Sequence, residues 1–285
     1  MRLNVGDFMR IYDPSPDFGA PWYVNDHTII RDPDGEWHLY GINHAEPSDP
    51  DGETTFLHAT ATDIQGPWHT RETALTLDPN YYGERHLWAP HVIRADRKYW
   101  MFYNAGGDDP TREAVNLATS EDLYHWTRHP EGPLFRDGYS ARDPMVTWTG
   151  DQWTMYYCGN DDPLGGHFAV VYRCSDDLIH WGDRKIAFTS EFTGQGFNSP
   201  TESPFVVKEE DHWYLFIGPC GRYQPTPDGF VCTAVYESDN PWEFPRDHLI
   251  TRIGSHAAEI IENRWITSCG AGQGGVYLAE LSWES

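Results

Sequence analysis

Three acidic residues stand in short strand-entrance contexts: Asp26 in Trp22-Tyr23-Val24-Asn25-Asp26-His27, Asp143 in Ala141-Arg142-Asp143-Pro144, and Glu202 in Ser199-Pro200-Thr201-Glu202-Ser203-Pro204. Carboxylates brought together repel one another and raise some of their pKa values, so that one holds a proton near neutral pH while another stays ionised. That division of labour suits cleavage of a glycosidic bond. One carboxylic acid protonates the leaving oxygen, and a second carboxylate activates water or attacks the anomeric carbon. Asp beside Pro and Asn-Asp at a strand start are also ordinary turn and capping devices. What decides between the two readings is whether the three acids share a structural position.

A repeat supplies that position. Polar turns lead into Trp37-His38-Leu39-Tyr40-Gly41, Tyr99-Trp100-Met101-Phe102-Tyr103, Trp153-Thr154-Met155-Tyr156-Tyr157, Trp213-Tyr214-Leu215-Phe216-Ile217 and Trp265-Ile266-Thr267-Ser268-Cys269. Their leading aromatics recur at intervals of about 50 to 60 residues, a period that suits four-stranded propeller blades with long loops. A second word follows in near duplicate as Ser120-Glu121-Asp122-Leu123-Tyr124-His125-Trp126 and Ser175-Asp176-Asp177-Leu178-Ile179-His180-Trp181, with looser echoes ending at Trp68 and Trp242. The closing tryptophans read as structural, each covering the blade's apolar face.

Before each aromatic strand comes a short apolar one: Thr28-Ile29-Ile30, His91-Val92-Ile93, Met145-Val146, Phe205-Val206-Val207 and Glu259-Ile260-Ile261. These are expected to be the innermost strands, lining the axis. Residues 22–27, 86–90, 140–143, 199–202 and 254–256 then enter one central cavity. Asp26, Asp143 and Glu202 fall on one blade position of blades one, three and four. The fold class is accordingly all-β: a five-bladed β-propeller in a single domain spanning residues 1–285. Its blades are placed roughly at 22–80, 81–138, 139–195, 196–250 and 251–285, with closure by the N-terminal strand.

Composition agrees with this reading, with 13 Trp, 16 Tyr, 13 Phe and 26 Gly in 285 residues and no long linker-like stretch. A formal charge of -24 argues against nucleic-acid and anionic-membrane partners, which need a basic surface. Residues Met1 to Ile11 lack the apolar stretch of a signal peptide, and no run reaches membrane-spanning length, so the expected location is cytoplasmic. The cysteines, Cys158, Cys174, Cys220, Cys232 and Cys269, are odd in number and lack CxxC spacing, which suggests neither a disulfide framework nor a zinc site.

The motifs Asn25-Asp26, Trp88-Ala89-Pro90, Arg142-Asp143-Pro144 and Glu202-Ser203-Pro204, in that order and spanning Trp22 to about Ser282, resemble those of the five-bladed glycosidases of families 43, 32, 68 and 62. The resemblance implies Asp26 as general base or nucleophile, Glu202 as general acid, and Asp143 as the residue that tunes the acid and orients the sugar. Arg142 would hold Asp143 ionised by a charge-assisted contact and reach sugar hydroxyls. Trp22, Asn25-Asp26 and Arg142-Asp143-Pro144 lean towards the fructosidases, which retain configuration. Trp88-Ala89-Pro90 and Glu202-Ser203-Pro204 lean towards family 43, which inverts. His27 stands where fructosidases carry Pro, and Ser203 where many carry Cys. In family 43 a His at the fifth-blade entrance lies near an axial water or calcium, which makes His256 the metal candidate. The chemistry requires no cofactor, so a structural calcium ion is the only one implied.

Trp22, Trp88 and Phe197 are the aromatics best placed by blade position to face a sugar ring, and Asn25, His91 and His27 are candidate hydroxyl contacts. The loop Thr193-Gly194-Gln195-Gly196-Phe197-Asn198 is not a phosphate loop, having no Lys after the glycines. The expected function is hydrolysis of a terminal furanosyl or related residue (arabinofuranoside, xyloside or fructofuranoside) of a small oligosaccharide. The competing readings are a transglycosylase or phosphorylase on the same fold, a non-catalytic sugar-binding propeller, and a peptide-binding scaffold.

Overall fold

The structure is a computed structural model that describes residues 2–106, 113–139, 141–195, 199–219 and 232–284. Five antiparallel sheets follow one another along the chain. Blade 1 runs through strands Trp22–Arg31, Trp37–Ala45 and Thr55–Ala61, and blade 2 through Trp88–Ala95, Lys98–Asn104 and Ala114–Ser120, each with short outer strands. Blade 3 is Arg142–Trp148, Trp153–Asp162, Gly165–Ser175 and Lys185–Thr193; blade 4 is Glu202–Glu209, His212–Gly218, Thr233–Ser238 and Leu249–Ile253. Blade 5 joins Ile260–Ile261, Trp265–Ser268 and Val276–Glu284 to Arg2–Val5 and Met9–Tyr12, so the N-terminal strands close the ring.

The core lies between the blades. Five apolar clusters each join two neighbouring sheets. The second strand of each blade is therefore buried on both faces, which is why Leu39, Met101, Met155, Leu215 and Ile266 read as continuous apolar runs and are all fully buried. The repeated turn is built identically in blades 2 and 3. Ser120 Oγ accepts from the N–H of Leu123 at 2.9 Å, and Ser175 Oγ from that of Leu178 at 2.9 Å. Asp122 and Asp177 then accept from the two backbone N–H groups that follow.

The closing tryptophans are structural, but each covers the preceding blade. Trp126 of blade 2 meets Tyr40 of blade 1 edge-on at 5.6 Å, and Trp181 of blade 3 meets Phe102 of blade 2 at 6.0 Å. Tyrosines also bridge neighbouring blades: Tyr40 Oη donates to Leu123 O of blade 2 at 2.5 Å and Tyr156 Oη of blade 3 to Pro241 O of blade 4 at 2.6 Å. Cys158, Cys174 and Cys269 are free, whereas Cys232 is disulfide-bonded, a pairing the cysteine spacing gives no sign of. Among the described residues no helix is long and apolar enough to cross a membrane.

Candidate active site

The first strand of every blade starts with a break in the pleat. Asp26, Ala89, Asp143, Ser203 and Ala257 all have positive φ, between 33° and 58°. In the first four blades the ladder shifts register at this point. A bulge inserts one residue and re-aims its neighbours, so consecutive side chains that a regular strand would send to opposite faces both reach the cavity. Non-glycine residues in this backbone region are strained, a cost that concentrates at functional sites.

Two rings result, one above the other. Asn25, Trp88, Arg142, Glu202 and His256 form the upper ring, and Asp26, Ala89, Asp143, Ser203 and Ala257 the lower. All of the upper ring, with Asp26, Asp143 and Ser203 from the lower, lines one cavity of about 400 Å³. The acids converge as expected, but they do not occupy one blade position. Glu202 is level with Asn25 and Arg142, and the blade-4 counterpart of Asp26 and Asp143 is Ser203. The extra bulge residue is invisible in the hydrophobic pattern, which is why the sequence reading set Glu202 one residue out of step.

Ser203 ties the lower ring together. Its hydroxyl donates to Asp26 Oδ1 at 2.9 Å and its backbone N–H to Asp143 Oδ2 at 2.9 Å. Asn25 Nδ2 donates to the other Asp26 oxygen at 2.9 Å. Arg142 is buried, and its short charge-assisted bond runs from Nη2 to Glu202 Oε1 at 2.8 Å; Asp143 Oδ2 lies 3.8 Å from Nε. The expected Arg142–Asp143 contact is thus the weaker of two, because the upper ring places Arg142 level with Glu202.

Burial pushes all three carboxyl groups up. For Asp26 it is opposed by His256 and the Ser203 hydrogen bond and reinforced by Glu202. Asp143 is pushed up to about 6, burial outweighing Arg142 while Asp26 adds to the rise. Glu202 is raised by burial and Asp143 against the pull of Arg142. Arg142 stays cationic: burial works against its charge, and Cys158, Glu202 and Asp143 more than offset it. Among the described residues the cavity therefore gathers several carboxyls around the Arg142 guanidinium, the condition under which protons are shared.

A fourth acid went unnoticed in the sequence. Glu53, on the connection between the second and third strands of blade 1, lines the same cavity and is buried. Tyr23 Oη donates to its Oε1 at 2.8 Å. Burial pushes it up to about 7, with Asp26 adding to the rise and the Tyr23 bond opposing it. It lies on a loop, outside the repeat register, so no pattern pointed to it. Beside Glu53, Trp88 stacks on His86 with centroids 3.5 Å apart, and His86 Nε2 lies 3.3 Å from Glu113.

Other expected contacts are placed elsewhere. Trp22 stacks on Phe18 at 4.1 Å and is not among the residues lining the cavity. His91, two residues beyond the bulge, faces the axis beneath the acids, with Nδ1 3.4 Å from Glu259 Oε1 and Nε2 donating to Val146 O at 3.1 Å. It is a structural residue of the channel and not a contact in the acid cavity. His27 is buried, its Nδ1 3.1 Å from Cys269 Sγ. Phe197 lies outside the described residues. His256 lines the cavity, with Nδ1 2.8 Å from Cys269 O. It belongs to no group of three ligand-type side chains among the described residues, so the side chains there do not by themselves make the oxygen-rich cage that calcium takes.

Comparison with known proteins gives a consistent picture. The family model "Glycosyl hydrolases family 32 N-terminal domain" matches residues 20–241. A probable arabinan endo-1,5-alpha-L-arabinosidase C of Aspergillus flavus is 24% identical over 208 residues, 68% of this chain and 58% of that protein. The chain thus spans about three fifths of the length of the curated relatives it matches. Among solved structures, a thermostable family-43 glycoside hydrolase superposes with a TM-score of 0.67 at 18% identity, covering 93% of this chain and 91% of that one. A Bacillus subtilis arabinanase does so with a TM-score of 0.66 at 16% identity, covering 91% and 94%.

Proposed function

The chain belongs to the glycosyl hydrolases family 32 N-terminal domain family, and from that premise we propose that it is an O-glycosyl hydrolase acting on a terminal furanosyl or related residue of a small oligosaccharide. The observation that carries this is the convergence of Asp26, Asp143 and Glu202 on one cavity, all with raised pKa and with Arg142 as a fixed cation among them. Arabinan, named for the curated relatives, is built of arabinofuranose, which supports a furanose.

In this reading Asp26 is the base or nucleophile. Hydrogen bonds from Asn25 and Ser203 reach both of its oxygens and favour the ionised form. Glu202 is the acid. Arg142 and the Ser199 N–H occupy Oε1, so its proton sits on Oε2 for delivery to the leaving oxygen. Asp143 accepts from the backbone N–H of Ser203, the residue whose hydroxyl holds Asp26, it is raised by Asp26 and it raises Glu202 in turn, which suits a residue that adjusts the other two. Ser48, Pro50 and Asp51 from the blade-1 loop line the same cavity as the acids.

The test is a panel of nitrophenyl arabinofuranosides, xylosides and galactosides together with fructose and arabinose oligomers, followed by NMR of the first-formed anomer. Glu202→Gln should lose turnover of natural oligosaccharides by about 10²-fold or more while still binding them, and keep more activity on nitrophenyl glycosides, whose leaving group needs little protonation. Asp26→Asn should lose both. Absence of turnover across the panel with binding intact would return the chain to a sugar-binding propeller.

A further inference from the structure

At the far end of blade 1 from the acids, Asp32, Glu36 and His38 bring one ligand atom each within 4.8 Å of one another. Asp32 and Glu36 close the hairpin between the first two strands, where Asp32 N–H donates to Glu36 O at 2.8 Å, and His38 is the second residue of the next strand. The site lies six residues along the strand from Asp26, about 20 Å at the rise of an extended chain.

The cluster contains an unpartnered buried polar atom. His38 is fully buried, and its Nε2 has no hydrogen-bond partner among the described residues. That nitrogen is aimed between the two carboxylates, 3.6 Å from Glu36 Oε2 and 3.9 Å from Asp32 Oδ2. Both distances are too long for a hydrogen bond. They are near what two ligands of one cation show: bonds of about 2.0–2.2 Å in tetrahedral geometry set neighbouring ligand atoms about 3.4 Å apart.

The surroundings are also those of a ligand set. His38 Nδ1 lies 3.0 Å from His58 Nε2. Donation of the Nδ1 proton to His58 fixes the tautomer that leaves a lone pair on Nε2, as metal-binding imidazoles do with their second nitrogen. Asp32 Oδ1 accepts from Glu36 N–H at 2.8 Å, which leaves Oδ2 to face the centre, and Tyr124 Oη orients Glu36 Oε2 at 2.9 Å. Arg71 lies 3.9 Å from Glu36 Oε1, on the carboxylate's other oxygen. The Asp32 and Glu36 side chains are about one fifth and one third exposed, leaving a path for a cation and a place for water.

We propose that Asp32, Glu36 and His38 bind one divalent transition cation of the zinc class, with water completing the coordination. One imidazole with two carboxylates suits zinc over calcium or magnesium, which take oxygen ligands. The site is remote from the glycosidic chemistry and ties the blade-1 hairpin to the second strand.

The test uses the tag-free chain, Zn²⁺ alone as probe, and competition with a chromophoric chelator. The wild type should bind one equivalent that excess Ca²⁺ does not displace, with Tm raised by roughly 5 °C or more at a hundredfold excess over Kd. Asp32→Asn and Glu36→Gln, both near-isosteric, should fold and weaken binding at least about tenfold. Anomalous scattering at the zinc edge should place the ion beside His38 Nε2. Stoichiometric binding that both variants leave unchanged, an ion located elsewhere, or no stoichiometric binding by the wild type would overturn the proposal.

Discussion

Ser203 donates its hydroxyl to Asp26 Oδ1 at 2.9 Å from a backbone held at a φ of 47°, so the blade-4 bulge and the blade-1 carboxylate are joined through one oxygen. Removing that oxygen removes a hydrogen bond to the charged form of Asp26, and hydrogen bonds to charged groups contribute about 1.5–3 kcal/mol. Ser203→Ala should therefore raise the Asp26 pKa by about one unit and move the acidic limb of the pH–rate profile to higher pH. On that limb kcat/KM should fall roughly tenfold. Ser203→Gly makes the same deletion but relieves the positive φ, so it should share the kinetic defect and unfold at higher urea than Ser203→Ala. Equal pH profiles for wild type and both variants would disconnect Ser203 from Asp26.

Arg142 lies between Glu202 and Asp143, and its charge, 2.8 Å from Glu202 Oε1, opposes the rise that burial imposes on the acid's pKa. Arg142→Gln should raise the Glu202 pKa and move the basic limb to higher pH, with kcat/KM at the optimum lower by about 10²-fold. Arg142→Lys keeps the charge but loses the planar fork, and should recover the position of the limb more than the rate. The check is the full pH profile of the three proteins on one substrate; a basic limb that moves to lower pH in Arg142→Gln would contradict the pairing.

The architecture was legible because each blade repeats the same constraint. A buried second strand demands an apolar aromatic run, and the tight turn uses Ser-x-Asp to hold the residue that follows at positive φ, 66° at Leu123 and 67° at Leu178. Convergence of Asp26, Asp143 and Glu202 followed from that period alone. Their vertical order did not, since a bulge adds a residue without disturbing the apolar pattern. The same blindness put His91 in the acid cavity, when two residues past the bulge the chain points along the axis to Glu259. Glu53 escaped for another reason: loops lie outside the repeat, and only the Tyr23 contact reveals that it is buried. Arg142 was read with its sequence neighbour Asp143, whereas ring geometry gives it to Glu202.

Glu53 should leave a mark on stability. Its carboxyl is raised from an ordinary value of 4.5 to about 7 in the folded chain, chiefly by burial. Between those values the folded state binds the extra proton, so its contribution is fully present below pH 4.5 and is lost as pH rises through 7. Glu53→Gln removes the titration while keeping an acceptor for Tyr23. Relative to the variant, the wild type should lose stability on the order of 3 kcal/mol between pH 4.5 and 7.5. Urea unfolding of both proteins at the two pH values measures this directly, and a wild-type-to-variant difference that stays constant with pH would show that folding does not raise the Glu53 pKa.

The connection leading into blade 2 is held by a buried ion pair whose loss should be felt both in folding and at the cavity wall. Glu84 is buried and receives Arg128 on both oxygens, at 3.0 and 2.7 Å, together with Tyr103 Oη at 2.8 Å and Asp78 N–H at 3.0 Å. Arg128 also donates to Thr76 O at 2.8 Å and lies over the Tyr81 ring. Removing one member of such a pair leaves an uncompensated buried charge and costs about 3–5 kcal/mol, whereas removing both charges costs much less. Arg128→Ala should therefore lower the urea midpoint with little change in the m-value, and Arg128→Met with Glu84→Gln should recover most of the loss. Glu84 stands three residues before Leu87, whose N–H donates to Glu53 O at 2.9 Å, and four before Trp88 of the upper ring. Loosening this segment should raise KM more than it lowers kcat, because the wall that positions the sugar moves while the acids stay on their own strands. A variant that loses kcat at unchanged KM would place the ion pair's influence on the acids instead.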